Sequence, residues 1–190
     1  MITKTRTTKE TDITISMDLN GSGTSSIDTG VGFLDHMLES FSKHSLIDLE
    51  IDCKGDTHID DHHSVEDVGI VLGSLICDAI YPAEGIERFG SANIVMDEAC
   101  VSCDLDISNR PYLVYEVDID GKVGLFDTEL AEEFFKAFVS SARISAHIVA
   151  LRGKNKHHII EAAFKSLAVA IRRAITKNSR VGIPSTKDVL

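Results

Sequence analysis

His62-His63-Ser64-Val65-Glu66 is followed 95 residues later by His157-His158-Ile159-Ile160-Glu161, so a chain of 190 residues carries the pattern HHxxE twice, half its own length apart. Each copy opens a stretch with helical apolar spacing. In register, Leu72 meets Leu167, Ile76 meets Ile171, Ala79 meets Ala174 and Ile80 meets Ile175. A shared ligand-type cluster followed by a shared apolar stripe predicts an internally duplicated protein.

On a helix the first His and the Glu are i,i+4 neighbours, and the second His and the same Glu are i,i+3 neighbours. Adjacent imidazoles point about 100° apart, given roughly 3.6 residues per turn. One metal therefore cannot easily take both, whereas two metals can take one each, with the carboxylate close to either. A single HHxxE would be read as a solvated helix start with an acid in its first turn. Its recurrence turns the balance toward a pair of metal sites.

The acidic balance, a formal charge of −11, excludes a broad basic face for nucleic acid or anionic membrane. A small anionic ligand held by a few converging Arg and Lys remains compatible. An apolar fraction of 43% suffices for a core, which the absence of Trp makes largely aliphatic. No apolar run reaches membrane-spanning length, and Met1-Ile2-Thr3-Lys4 lacks the apolar region of a signal peptide, so a cytoplasmic location is expected. Cys53, Cys77, Cys100 and Cys103 are expected to be reduced and structural. Cys100 and Cys103 have CxxC spacing but sit in an alternating, strand-like stretch, with no second pair to complete a zinc site.

Ile13, Ile15, Met17 and Leu19 alternate with Thr14, Ser16 and Asp18 as in a half-buried strand, and Asn20-Gly21 predicts a hairpin turn after it. Phe33, Met37, Leu38 and Phe41 take helical spacing, Leu49, Ile51 and Cys53 form another strand, and the first HHxxE helix runs to Tyr81-Pro82. The second half repeats this order: strands around Val101–Ile107 and Leu113–Ile119, a hairpin turn at Asp120-Gly121, a helix through Leu130–Phe138, a strand at Ile144–Ile148, and the second HHxxE helix to about Lys177. The predicted class is α/β (α+β): two antiparallel or mixed sheets, each covered by helices on one face, in one domain of two pseudo-repeats, about 1–90 and 91–190. Matching Phe41 to Phe138 sets His36 against Glu133, two ligand types at one structural position. The candidate ligands are therefore His36, His62, His63, Glu66, Glu133, His157, His158 and Glu161. His44 and His58 are expected to be exposed, His147 to support the site from a strand, and Asp60 and Asp61 to cap the helix or orient imidazoles. Paired His/Glu helices also build di-iron and metal-storage proteins, but those need long four-helix patterning. Zinc-mediated assembly is the other alternative.

Thr29 through Leu38 (TGVGFLDHML), Gly55 through Gly73 (GDTHIDDHHSVEDVGIVLG), Met96 through Ala99 (MDEA), Asp106 through Pro111 (DISNRP), Phe126 through Leu130 (FDTEL), Gly153 through Lys165 (GKNKHHIIEAAFK) and Pro184 through Lys187 (PSTK) span nearly the whole chain. On these blocks the sequence closely resembles the imidazoleglycerol-phosphate dehydratase family. The resemblance implies a lyase of histidine biosynthesis that dehydrates imidazole glycerol phosphate to imidazole acetol phosphate. It implies two manganese ions per active site and a homo-oligomer, typically a 24-mer, with sites built across subunits. It also implies a duplicated fold in which two four-stranded sheets sandwich the helices, the ribosomal protein S5 domain 2-like arrangement. In the family's mechanism the substrate imidazolate expels hydroxide through a diazafulvene-like intermediate. Carried over by position, the eight ligands above hold the metals, with His36 and Glu133 peripheral. Glu10 is the acid/base carboxylate, Asp97 a site-lining acid, and Arg88, Arg110, Lys165, Ser185, Thr186 and Lys187 bind substrate, mainly its phosphate. Two departures stand out. Asp188 follows Lys187 where the family usually has Gly, and Asn109 replaces a usual Gly before Arg110-Pro111. Asn tolerates left-handed backbone geometry.

Overall fold

The structure, a computed structural model, describes residues 1–188 and 190. Its first half runs β1 (Ile2–Thr7), β2 (Thr11–Asp18), β3 (Ser25–Asp28), α1 (Gly32–Ser45), β4 (Asp48–Gly55) and α2 (His62–Ile80). The second half runs β5 (Phe89–Met96), β6 (Ala99–Asp106), β7 (Tyr112–Glu116), a small hairpin β8 (Lys122–Val123) and β9 (Phe126–Asp127), then α3 (Glu129–Ala142), β10 (Ser145–Arg152) and α4 (Lys156–Ala174). The strands form two four-stranded sheets ordered β1-β2-β4-β3 and β5-β6-β10-β7, so the same topology occurs twice. Each is mixed: β3 lies parallel to β4, and β7 parallel to β10, while the other pairs are antiparallel. The helices α1 and α3 are the crossovers that each parallel pair requires.

Alternation decides which face of each strand is buried. Ile13, Ile15 and Met17 on β2, with Leu49, Ile51 and Cys53 on β4, are buried, whereas Asp12, Thr14, Glu50 and Asp52 face outward and are exposed. On the other sheet Val101, Cys103, Leu105, Ala146 and Ile148 turn inward. The first sheet packs on α1 and α2, and the second on α3 and α4. The two helical layers then meet crosswise, α1 against α4 and α2 against α3. The four cysteines are free, with Cys53, Cys100 and Cys103 buried.

Neither expected hairpin turn joins paired strands. After Asn20-Gly21 the chain crosses to the far edge of the sheet, and β4 slots between β2 and β3. Asp48 holds the diverted loop at the start of β4, its Oδ1 accepting the Ser22 and Thr24 backbone N–H groups, each at 2.8 Å. Beyond Asp120-Gly121 the hairpin turn falls instead at Gly124-Leu125, between β8 and β9. The second HHxxE helix ends at Ala174, short of Lys177.

Two glycines set the spacing of α2 and α3. A Cβ at Gly69 would lie 2.9 Å from the Phe134 carbonyl oxygen and 3.1 Å from Ala137 Cβ, and one at Gly73 would collide with the Phe138 carbonyl oxygen. Alanine is favoured over glycine inside a helix by about 0.5–1 kcal/mol, but overpacking costs typically about 1–3 kcal/mol. The obstacle is backbone, which cannot rotate away, so the clash outweighs the propensity gain. Gly73→Ala is expected to lower the thermal midpoint by several degrees. An unchanged or raised midpoint would show that α3 yields.

Candidate active site

The start of α1 is fixed from inside its own turn. Asp35 Oδ1 accepts the Thr29 backbone N–H at 2.8 Å and the Thr29 hydroxyl at 2.5 Å, where Thr29 is fully buried. The next residue, His36, is thereby carried against α4. His36 Nε2 lies 3.5 Å and His157 Nε2 3.1 Å from the same oxygen, Glu161 Oε2. Lys165 Nζ sits 2.7 Å from the other carboxylate oxygen, Oε1. The His157 ring is held edge-on by Phe33, with centroids 5.2 Å apart, and faces His36 at 5.5 Å. The Glu161 side chain is only 8% exposed. Burial would raise its pKa, but the hydrogen bond and charge of Lys165, helped by His36 and His157, hold it below the usual carboxylate range. One ligand atom from each of His36, His157 and Glu161 lies within 4.8 Å of the others, the one such group among the described residues.

The remaining ligand candidates occupy four further places. His62 Nε2 lies 3.9 Å from Glu66 Oε2 on the exposed side of α2. Glu133 turns toward Lys136 on its own helix, at 3.7 Å, and joins no imidazole among the described residues. His63 and His158 have matching surroundings. His63 Nδ1 is 3.1 Å from both oxygens of Asp56, and its Nε2 faces Glu10 Oε2 at 3.7 Å. His158 Nδ1 is 2.8 Å from Glu98 Oε2, and its Nε2 faces Asp97 Oδ2 at 3.9 Å. Glu10 lies in the turn between β1 and β2, and Asp97 and Glu98 in that between β5 and β6, so the duplication places an acid opposite each imidazole. The hydrogen bond to Asp56 raises the pKa of His63, and that to Glu98 raises the pKa of His158. His158, with the backbone N–H groups of Asn155 and Lys154, draws Glu98 down to about 2. Among the described residues no hydrogen bond or ion pair joins the His62/His63 pair to the His157/His158 pair within the chain.

A separate cleft of about 740 Å³ is lined by Arg88, Phe89, Arg110, Pro184, Ser185, Thr186, Lys187 and Leu190. Arg88 has left-handed backbone geometry, φ 69°. It is held by a bidentate pairing with Asp106, at 2.7 and 3.1 Å, and by donation from Nη1 to the Pro184 carbonyl at 2.6 Å. That last bond ties the C-terminal segment over the cleft. Lys165 is not among the lining residues; its ammonium pairs with Glu161 at 2.7 Å. Asn109 adopts φ 57°, the conformation a glycine would take, and Asp188 does not line the cleft.

His147 does not support the site. Period-2 alternation on β10 turns it to the outer face, exposed and beside Tyr112, with ring centroids 6.5 Å apart. His44 is half-buried rather than exposed; burial, then Lys165 and Arg172, lower its pKa. His58 is exposed. Asp60 accepts the His62 N–H at 2.8 Å, as a helix-start acceptor should. Three acids in the site have no role in the sequence-based reading: Asp56, Glu98 and Asp106. Each lies within a block already singled out, but only the folded chain shows which imidazole or guanidinium it meets.

A family model described as imidazoleglycerol-phosphate dehydratase matches residues 29–171. Similar proteins of that name include one from Sulfurimonas denitrificans, 78% identical over 190 residues and covering 100% of both chains. Another, from Wolinella succinogenes, is 64% identical over 186 residues and covers 98% of each. The crystal structure of imidazoleglycerol-phosphate dehydratase from Staphylococcus aureus is similar with a TM-score of 0.83 at 42% identity, covering 94% of this chain and 100% of that one. A crystal structure of IGPD from Pyrococcus furiosus in complex with (S)-C348 is similar with a TM-score of 0.86 at 39% identity, covering 98% and 100%. With matching topology, near-complete coverage and high identity, the chain belongs to the imidazoleglycerol-phosphate dehydratase family and is a lyase.

Proposed function

We propose that the chain dehydrates imidazole glycerol phosphate to imidazole acetol phosphate in histidine biosynthesis, as one domain of two pseudo-repeats, about 1–90 and 91–190, with two manganese ions per site. The observation that carries the metal reading is the convergence of His36, His157 and Glu161 within 4.8 Å. Two imidazoles and one carboxylate are a donor set that manganese accepts. The donors fit it further because Lys165 occupies Glu161 Oε1 and leaves Oε2 toward both rings. His62, His63, Glu66, Glu133 and His158 are the remaining ligands in this reading. Manganese, when bound, supplies Lewis acidity toward the substrate and a template for it.

The chain's own groups supply the rest. Glu10 is an exposed carboxylate 3.7 Å from His63 Nε2, suitably placed to protonate the departing hydroxyl and then to take up the carbon-bound proton. Arg88, Arg110, Ser185, Thr186 and Lys187 offer cations and hydroxyls to the phosphate dianion. Asp97 occupies the second-half place that Glu10 has in the first and lines the site. A non-catalytic metal-storage assembly would leave this cation-lined cleft without a role.

The ligand pairs on α2 and α4 do not meet within one chain, which supports sites completed by a second copy in a 24-mer. The surface beside His36 agrees with this. A second cleft, of about 750 Å³, opens there, bordered by Ile59 and Leu125, which are 64% and 90% exposed. No helix among the described residues is long and apolar enough to cross a membrane. A cytoplasmic biosynthetic role is in keeping with that.

His157→Ala is expected to lose bound manganese, measured after dialysis, and turnover with it; retention of both would remove the cluster from the site. Glu10→Gln should keep its manganese while kcat falls by about 10²–10⁴-fold, the usual contribution of a positioned acid/base. Metal loss in that variant would make Glu10 structural. Lys187→Ala should raise KM about tenfold, as one charge-assisted contact would, and an unchanged KM would exclude it from phosphate binding.

A further inference from the structure

The His158 ring is held by groups whose hydrogen-bonding roles are already committed. Glu98 Oε1 accepts two backbone N–H groups, Lys154 at 3.1 Å and Asn155 at 2.7 Å, which close the start of α4. Its Oε2 is 2.8 Å from His158 Nδ1. An ionised carboxylate only accepts, so Nδ1 carries the ring proton in this contact. Asn155 imposes the same polarity from the other side. Its Oδ1 accepts the His157 N–H at 3.0 Å, which turns its amide Nδ2 toward His158 Nε2, at 3.5 Å. The 2.8 Å contact at Nδ1 outweighs Asp97 Oδ2, which lies 3.9 Å from Nε2, so Nε2 is the lone-pair side of the ring. The first half repeats the arrangement with Asp56 on His63 Nδ1, and the Asp56 N–H also ties down the Glu10 carbonyl at 3.0 Å.

We infer that Glu98 is a positioning residue that commits His158 to metal binding through Nε2, by keeping the proton on Nδ1 while latching the β5–β6 turn to the start of α4. This rests on the manganese reading given above. Glu98 would thus serve two tasks through two separate oxygens, and the tasks can be pulled apart. In Glu98→Gln the amide oxygen must stay on the two backbone N–H groups, because an amide NH₂ there would face two donors. The NH₂ then occupies the Oε2 position and donates to Nδ1. The ring is forced to carry its proton on Nε2, where it cannot ligate.

The test is a manganese titration of the full-length chain, following the electron paramagnetic resonance signal of free ion, with thermal melting of the metal-free variants alongside. Glu98→Gln is expected to melt close to wild type yet weaken manganese at one of its sites about 10–100-fold, the usual effect of losing a carboxylate behind a ligating imidazole. Glu98→Ala should weaken it at least as much and also melt lower. If Glu98→Gln binds like wild type while Glu98→Ala does not, Glu98 only holds the turn and the inference is overturned. If both variants bind like wild type, it is overturned as well. Wild-type protein that takes up no manganese would instead remove the metal reading itself, and this inference with it.

Discussion

The crosswise packing of α1 on α4 and of α2 on α3 is the contact on which the site depends. Each helix lies on the sheet of its own half, so each sheet–helix unit leaves an apolar helical face that its own half cannot cover. Burying the two faces against each other joins the halves into one core. It also brings His36 from one half onto His157 and Glu161 from the other. The glycines at 69 and 73 allow the α2–α3 side of the pairing to close to backbone contact. A single half would have neither the cluster nor a covered core.

Charge is distributed with the same economy. The chain is strongly acidic overall, yet its acids at the site are each matched to a donor: Glu161 to Lys165, Asp56 to His63, Glu98 to His158, Asp106 to Arg88. These pairings orient imidazoles and a guanidinium more than they stabilise the fold, since most lie at or near the surface, where solvent screens an ion pair and it contributes little. Arg88 shows the point most clearly. Its left-handed backbone is a conformation that costs a non-glycine residue about 1–3 kcal/mol, and Asp106 and the Pro184 carbonyl hold the side chain at the cleft.

Much of this was legible in the residues. The doubled HHxxE, the matching apolar stripes and the strand alternations gave the repeated order of elements and their types, but left the sheets either antiparallel or mixed, which the parallel pairs β3–β4 and β7–β10 decide. Pairing His36 with Glu133 by register put two ligand types at one structural position, but the structure joins only His36 to a cluster. The turns at Asn20-Gly21 and Asp120-Gly121 misled because a turn dipeptide reports local backbone preference, whereas strand neighbours are chosen by long-range pairing. In the first case β4 pairs with both β2 and β3, and Asp48, 26 residues beyond Ser22, ties the loop to it. His147 misled for a similar reason: its residue type is a ligand type, but the side of the strand it faces is set by register against β6 and β7.

The sequence by itself determined the repeated order of elements, the fold class and the residue types available to the candidate site, because periodicity and residue type are local properties that any window of the chain displays. Only the tertiary structure decided which carboxylate answers which imidazole across the chain: Glu161 shared by His36 as well as His157, Asp56 behind His63, Glu98 behind His158, and Lys165 paired with Glu161. Those partnerships span 4 to 125 residues of chain. They exist because two sheets bury their helices crosswise between them, and that closure is a property of the assembled core rather than of any stretch within it.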